Sequence, residues 1–223
     1  MLSRSMDAVR TNPQHEGATP ARLAAATALR RLGHAFVGHD IDEALLERIA
    51  AAVDRILPEV EAGAPRARPV DDMKRRLYES PPADGEGMDH FPDCVVSGLA
   101  NPMGIAIRVH REGDDAVATV TLESAFEGAP GRAHGGIVAA VFDDTMGFVL
   151  SMERTPAFTG RLTISYLAPT PVCEELEFRC RLRERNGRKL LIVGEARHDG
   201  EVVAEAEGLF ISIPPERLGI DRH

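Results

Sequence analysis

The sequence predicts an α+β fold in which an antiparallel sheet wraps around one long central helix, with an N-terminal helical extension. Three observations support this prediction. The hydrophobic period is helical up to about residue 62 and becomes two after about residue 88. A stretch that is apolar nearly all round, Ile137 to Leu150, interrupts the strand pattern. The strands after it are separated by Asn186-Gly187 and Asp199-Gly200, dipeptides typical of tight hairpin turns.

The composition is that of a soluble globular protein and limits the classes of partner. The chain has 223 residues, of which 43% are hydrophobic, and this is ample for a core. Its formal net charge of -9 argues against a nucleic-acid partner, because an acidic chain gains nothing from neutralising phosphates. No apolar run approaches the roughly 20 residues that span a bilayer, so we expect no membrane span. The first residues, Met1 to Gln14, lack the apolar core of a secretory signal.

The cysteines indicate the compartment. Cys94, Cys173 and Cys180 are widely spaced, odd in number and form no CxxC pair. This pattern argues against a structural zinc site and against a disulfide framework. We therefore expect a reducing, cytoplasmic environment, with no metal and no cofactor.

The N-terminal third predicts two helices. The first begins at Pro20 and ends at Gly33 or Gly38. Asp40 is a good N-cap for the second, with Glu43 three residues later. The predicted organisation is a flexible tail (1–20), the helical extension (21–87), the sheet-and-helix domain (88–215) and a C-terminal tail (216–223). Because two helices bury too little core alone, we expect the extension to pack on the main domain.

The rest of the chain predicts strands around a buried helix. Two strands meet across the Gly113–Asp115 turn, and a glycine-rich loop (128–131) leads to the apolar helix. Three or four strands follow as a meander, at about 158–167, 176–185, 190–198 and 202–213. A helix that is apolar all round must be buried, and a sheet that wraps it meets this need.

The start of that helix carries the first chemical signal. His134 is followed by two adjacent glycines, Gly135 and Gly136, which let a ligand approach the backbone closely. The first N–H groups of a helix have no partner within the helix and carry partial positive charge. They form an oxyanion site if a carbonyl oxygen can reach them.

Two adjacent carboxylates, Asp143 and Asp144, carry the second signal. Neighbouring helix positions point about 100° apart, so only one of the two easily faces solvent. We expect Asp143 to face the core or a cleft and Asp144 to be the exposed or capping member. Gly135 and Asp143 are about 12 Å apart along the helix, so one helix does not easily offer both groups to one carbon. Two antiparallel copies do, and this predicts a symmetric dimer with two composite sites.

At this point the sequence resembles a known family. His-Gly-Gly with an aspartate nine positions after the histidine is similar to the signature of PaaI-type hotdog thioesterases and their THEM4-like relatives. Two flanking segments are also similar to the family: the lead-in from Cys94 to Gly104, and the strand from Thr159 to Pro169. The resemblance covers about residues 91–214 and leaves the helical extension outside.

The resemblance implies a hotdog fold and hydrolysis of an acyl-CoA thioester. It implies that Gly135 N–H polarises the thioester carbonyl, and that Asp143 of the partner subunit is the nucleophile or the general base. His134 would orient the site or contact the acyl carbonyl. The substrate cleft would be lined by Gly136, Asn101 and Thr159. The assembly would be a homodimer or a tetramer, and the sequence does not indicate the acyl group.

Other interpretations stay open at this stage. A non-catalytic acyl-CoA binder or sensor would use the same fold, with the N-terminal helices coupling ligand binding to a partner. A hotdog hydratase is a third class, although its motif is absent from this sequence. His34, His39 and Glu43 suggest a metal cluster only weakly, because Gly38 interrupts their helix. The basic run 74–76 is a solvated helix face or a contact for CoA phosphates.

Overall fold

A computed structural model describes residues 18–66 and 81–214. Three predictions fall outside these residues: the N-terminal tail up to residue 17, the basic run 74–76, and the C-terminal tail from 216. The division into domains stays a prediction.

The described residues form three α-helices, one short 3-10 helix and nine strands. The helices are α1 (Pro20–Gly38), α2 (Glu43–Glu61) and α3 (Gly135–Met152), and the 3-10 helix is Ser124–Phe126. The strands are β1 (Gly87–Met88), β2 (Arg108–Glu112), β3 (Asp115–Thr121), β4 (Glu127–Ala129), β5 (Arg132–Ala133), β6 (Ala157–Tyr166), β7 (Glu175–Asn186), β8 (Lys189–His198) and β9 (Glu201–Ser212).

Seven strands form one antiparallel sheet in the order β1-β2-β3-β7-β8-β9-β6. The predicted meander is confirmed for β7, β8 and β9, but β6 pairs with β9 at the edge of the sheet and not with β7. Both predicted hairpin turns lie where expected. Gly187 and Gly200 have φ angles of 56° and 83°, the left-handed conformation that tight hairpin turns require. The sequence analysis missed β1 and the β4-β5 pair. What it describes as a glycine-rich loop is this two-stranded hairpin.

Helix α3 lies on the inner face of the sheet and forms the centre of the core. Half of its residues are buried: Val138, Val141, Phe142, Thr145, Met146, Phe148, Val149, Leu150 and Ser151. Phe142 meets Phe178 of β7 edge to face, with ring centroids 4.9 Å apart. Each fully buried side chain of this size stabilises the fold by about 1.5–3 kcal/mol. By length and composition α3 would also cross a bilayer, but here the sheet covers it, as expected for a core helix.

Strand β6 is an edge of the sheet and contains a bulge. Thr159 pairs with Phe210 of β9, but Leu162 pairs with Gly208, so one extra residue lies between them. A regular strand places residues an odd number apart on opposite faces. The bulge reverses this alternation, so that Thr159 and Tyr166, seven positions apart, both point toward α3.

The two N-terminal helices differ in how they relate to the core. Helix α1 begins at Pro20 as expected, is capped by the Thr19 side chain and buries Ala26. It packs on the 3-10 helix, so the prediction that the extension contacts the main domain is confirmed for α1. Helix α2 has no buried residue. The prediction of Asp40 as its cap is wrong: Asp42 accepts the Leu45 N–H at 2.8 Å, because its side chain lies at the right spacing from that amide.

Candidate active site

His134 is the N-cap of helix α3. Its Nδ1 accepts a hydrogen bond from Gly136 N–H at 3.0 Å, and its own N–H donates to the Phe126 carbonyl at 2.8 Å. An Nδ1 that accepts carries no proton, so the neutral ring has its proton on Nε2. The cap therefore sets both the orientation of the ring and its tautomer. His134 is exposed and presents Nε2 as a donor.

The first helical residue, Gly135, is held through its carbonyl group. The Tyr166 hydroxyl donates to this carbonyl oxygen at 2.7 Å. A Cβ on Gly135 would lie 3.1 Å from the same hydroxyl oxygen, so only glycine fits easily against Tyr166. Within the described residues, no hydrogen bond uses the Gly135 N–H. This N–H, at the positive end of the helix, is free to donate to a ligand oxygen.

Asp143 is half-buried in the middle of α3. The Thr159 hydroxyl donates to its Oδ1 at 2.7 Å, and Asp143 forms no ion pair with any described residue. A hydroxyl donor orients a carboxylate without neutralising it. Asp143 is therefore positioned and still available to take a proton or attack carbon.

Within one chain these residues form two groups. His134, Gly135 and Gly136 lie at the start of α3, and Asp143 with Thr159 lies about eight residues along it, roughly 12 Å away by the helical rise. Strand β6 contacts both groups, through Tyr166 at the first and Thr159 at the second. The structure thus brings Thr159 to Asp143 and Gly136 to His134, and it leaves the two groups apart.

The expectation for Asp144 is wrong. Asp144 is largely buried, and this burial raises the pKa of its carboxyl, with the nearby charge of Asp143 acting in the same direction. The Cys94 thiol donates to its Oδ1 at 3.4 Å, and its buried Oδ2 has no hydrogen-bond partner among the described residues. Ser97 lies close enough to oppose the rise in pKa, although its hydroxyl makes no well-aligned hydrogen bond. Residues 94–97, in the segment before β2, cover this face of α3. Hydrophobic periodicity could not show a contact between residues so far apart in the chain.

Asn101 lies in a turn, and its amide atoms bond within the protein. Its Oδ1 accepts the Met103 N–H at 2.9 Å and its Nδ2 donates to the Asp93 carbonyl at 3.2 Å. These contacts stabilise the turn and do not join Asn101 to the groups on α3. Its role as a substrate contact stays a prediction, as do the assigned roles of His134, Gly135, Gly136, Asp143 and Thr159.

Sequence analysis missed Tyr166 and Gly128. A strand tyrosine is usually a packing residue, and only the bulge in β6 turns Tyr166 toward α3. A Cβ on Gly128 would lie 2.8 Å from the Cα of His134, so the β4-β5 hairpin packs directly against the cap of α3. The glycine-rich composition of the loop was the available signal, because a clustered glycine often marks a close backbone approach.

Among residues 18–66 and 81–214, no group of three potential ligands could hold a metal ion. The two histidines considered for this role have other contacts. The Nδ1 of His34 accepts the Ala125 N–H, and the Nδ1 of His39 bonds the Ala35 carbonyl.

Comparison with known proteins bears on the same part of the chain. The family model of the Thioesterase superfamily matches residues 130–205, which include the whole of α3 and strands β6, β7 and β8. A solved protein described as RHA08564, thioesterase superfamily protein, superposes with a TM-score of 0.73 at 28% identity. The match covers 88% of this chain and 92% of that protein. This share is larger than residues 88–215 alone supply, so it includes part of the N-terminal extension.

Curated relatives give the same result at lower coverage. The acyl-coenzyme A thioesterase THEM4 of Bos taurus is 33% identical over 93 residues, which are 41% of this chain and 38% of the bovine protein. THEM4 of Mus musculus is 32% identical over 93 residues, 40% of its length. The chain thus matches about two fifths of these relatives. The hotdog fold and the resemblance to THEM4-like thioesterases are confirmed.

Proposed function

We propose that this hotdog-fold chain, with its thioesterase-superfamily segment, is an acyl-CoA thioesterase that hydrolyses acyl-CoA to a carboxylic acid and CoA. One observation carries the proposal most directly: a half-buried carboxylate, Asp143, is held by the Thr159 hydroxyl and has no cationic partner among the described residues. A half-buried carboxylate without a cation costs stability, and chemistry is a common reason to keep one.

Two routes use this carboxylate, and the geometry is compatible with each. As a general base, Asp143 takes a proton from water while the oxygen attacks the thioester carbon, and the carbon–sulfur bond then breaks with the proton passing to the CoA thiolate. As a nucleophile, Asp143 forms an anhydride, CoA leaves, and water hydrolyses the anhydride. In each route negative charge develops on the carbonyl oxygen. The Gly135 N–H is the donor we assign to that oxygen, and the helix dipole strengthens it.

The supporting residues have distinct tasks in this proposal. Thr159 orients Asp143, and Tyr166 holds the Gly135 carbonyl, which fixes the first turn of α3 that carries the Gly135 N–H. His134 uses Nδ1 as the helix cap, which leaves Nε2–H to contact the acyl carbonyl. Gly136 and Asn101 remain candidates for lining the cleft.

We further propose that the active species is a homodimer joined along β6. One side of this edge strand is unpaired among the described residues, and Phe158, Tyr166 and Leu167 are 59%, 52% and 57% exposed. An open edge of ten residues with exposed apolar side chains is a ready template for a second strand. Two-fold pairing would place the α3 start of one subunit beside Asp143 of the other, which joins the two groups that one chain keeps apart.

The compartment that we propose is the reducing cytoplasm. Cys94, Cys173 and Cys180 are free in the structure, and none of them needs an oxidising environment.

The principal test replaces each of the adjacent aspartates. Asp143→Asn keeps the shape of the side chain but loses the base and nucleophile, so we expect kcat on a panel of acyl-CoAs to fall by about 10²–10⁴-fold. The matched control is Asp144→Asn, whose side chain contacts Cys94 and not β6, and we expect its kcat to stay within about threefold of wild type. Equal turnover by Asp143→Asn and wild type would refute the assigned chemistry.

A second candidate, a non-catalytic acyl-CoA binder, is favoured by one observation. Helix α2 is amphipathic and has no buried residue, so its apolar face is available to a partner. The same panel separates the two functions. Saturable acyl-CoA binding by pure wild-type protein without thioester cleavage would favour the binder.

The dimer is tested by placing charge on the open edge. Phe158→Asp puts a charge on an apolar position that β6 pairing would cover, so we expect a monomer in sedimentation experiments and loss of hydrolysis. Val60→Asp is the control, because Val60 is 69% exposed on α2 and far from β6 in the chain. A Phe158→Asp monomer with wild-type kcat would rule out the composite site.

A further inference from the structure

Helix α1 lies outside residues 130–205, which match the family model, yet it contacts segments that lead into the proposed site. Arg30 donates to the carbonyl oxygens of Leu99 and Asn101 at 2.9 Å and 2.6 Å. One helical turn later, His34 reaches the 3-10 helix. Its Nδ1 accepts the Ala125 N–H at 3.3 Å, and its ring meets the Phe126 ring edge to face at 5.0 Å.

The 3-10 helix is joined directly to the start of α3. The Phe126 carbonyl accepts the His134 N–H at 2.8 Å, and His134 is the residue that caps α3. Two consecutive residues, Ala125 and Phe126, therefore link His34 on one side to His134 on the other. A displacement of this short helix would move the cap, and with it the Gly135 N–H.

The fit between α1 and the 3-10 helix leaves little room. A Cβ on Gly38, at the end of α1, would lie 2.8 Å from the Ser124 Oγ. Arg30 and Gly38 therefore hold α1 close to the main domain on both sides of His34. A side chain fixed between two such anchors makes a well-directed contact, because little freedom remains to be lost when it forms.

We propose that His34 is a positioning residue for the thioesterase site. It fixes the 3-10 helix through the Ala125 N–H, and it acts through the Phe126 carbonyl on the cap of α3. This inference rests on the proposed function and extends the site to a helix beyond the family segment. His34 does not touch the substrate in this role.

The contact requires a neutral ring, because Nδ1 accepts. Burial lowers the pKa of His34, the positive charge of Arg30 lowers it further, and Glu123 opposes them. Arg31 and His39 line the same groove as His34 and Glu123 and are the other titratable groups there. The neutral form therefore persists to a lower pH than in an unfolded chain.

The test separates the two contacts that His34 makes. His34→Asn places an amide oxygen near the position of Nδ1 and loses the ring, whereas His34→Phe keeps a ring and loses the acceptor. Arg31→Ala, at an exposed neighbouring position on α1, is the matched control. Each full-length variant is measured for kcat and KM with the acyl-CoA that wild type hydrolyses fastest, and for amide hydrogen exchange over residues 126–136.

We expect His34→Phe to lower kcat about tenfold, with KM changed less than about twofold, because the cap is displaced while the cleft remains. His34→Asn should restore kcat to within about threefold of wild type. Exchange of the His134 amide should be about tenfold faster in His34→Phe and unchanged in the Arg31→Ala control. If His34→Phe does not fold, His34→Ala replaces it in the comparison with His34→Asn.

Two results would overturn the positioning role. One is a kcat and exchange rate in His34→Phe equal to those of Arg31→Ala. The other is an equal loss of kcat in His34→Asn and His34→Phe, since the acceptor would then be irrelevant. If wild type cleaves no acyl-CoA, the proposed function fails, and exchange at His134 alone decides the positioning role.

Discussion

Helix α3 has two faces with similar polar groups in different surroundings. On the face toward β6, Thr159 donates to Asp143 and Tyr166 donates to the Gly135 carbonyl, and these groups are partly exposed. The opposite face meets the segment before β2, where the Cys94 thiol donates to Asp144. On that face His90 also lies flat on Phe148, with ring centroids 3.5 Å apart, and its Nε2 bonds the Ser151 hydroxyl.

The difference shows that environment, and not residue type, assigns the roles. Asp143 and Asp144 are chemically identical and adjacent in sequence. The first is bonded by a hydroxyl on an edge strand, and its side chain is partly exposed. The second is covered by residues 94–97, and burial raises the pKa of its carboxyl. We infer that one face of α3 performs chemistry and that the other attaches the N-terminal part of the domain to the core.

The largest expected difference between the two faces lies at the covered face. It is the change in the free energy of unfolding with pH. His90 is almost fully buried, and this burial lowers its pKa to about 3. Between pH 6.5 and 3 the unfolded chain takes up a proton that the folded chain refuses, so His90 weakens folding by up to about 1.4 kcal/mol per pH unit. His90→Phe keeps the stacked ring and removes this titration. In urea unfolding experiments from pH 7 to pH 4, the free energy of unfolding should therefore fall less steeply with decreasing pH in the variant than in wild type.

Parallel pH curves for wild type and His90→Phe would contradict the buried, neutral state of His90. Phe148→Leu is a suitable control, because it disturbs the same stacked pair and keeps the imidazole of His90, so the pH dependence of wild type should persist.

A smaller difference is expected between the two neutral groups that donate to the carboxylates, the Thr159 hydroxyl and the Cys94 thiol. Thr159→Val removes the hydroxyl that orients Asp143, and we expect kcat to fall about tenfold with little change in stability. Cys94→Ala removes the thiol that contacts Asp144. We expect it to lower the free energy of unfolding by about 1 kcal/mol and to leave kcat nearly unchanged. Steady-state kinetics and denaturant unfolding of both variants measure the contrast. If Cys94→Ala lowered kcat as much as Thr159→Val does, the two faces of α3 would not differ in function as proposed.

Much of the fold could be predicted because its signals are local. The apolar helix, the two hairpin turns and the change of hydrophobic period are each contained in short windows, and all of them were confirmed. The cap of α2 was misplaced by two residues because Asp40 and Asp42 both suit the role. The small β4-β5 hairpin was missed because a glycine-rich segment lacks the alternation that marks a strand.

The site could be predicted only in part. The position of His134 as the cap follows from the motif, because the next two residues are glycines at the start of an apolar helix. The contact between Thr159 and Asp143 could not be derived, since it depends on a bulge that reverses the faces of β6. The covered state of Asp144 depends on a segment about 50 residues earlier in the chain, which no periodicity reveals.

By itself the sequence determined the class of fold, the buried central helix and the position of the His-Gly-Gly motif at its start. These features rest on hydrophobic period, turn residues and helix capping, which act between residues close together in the chain. Only the tertiary structure decided which aspartate is accessible, which strand residues face α3, and that α1 braces the segment before the motif. Each of these depends on contacts between distant residues, which form only when the sheet, the helix and the extension pack together.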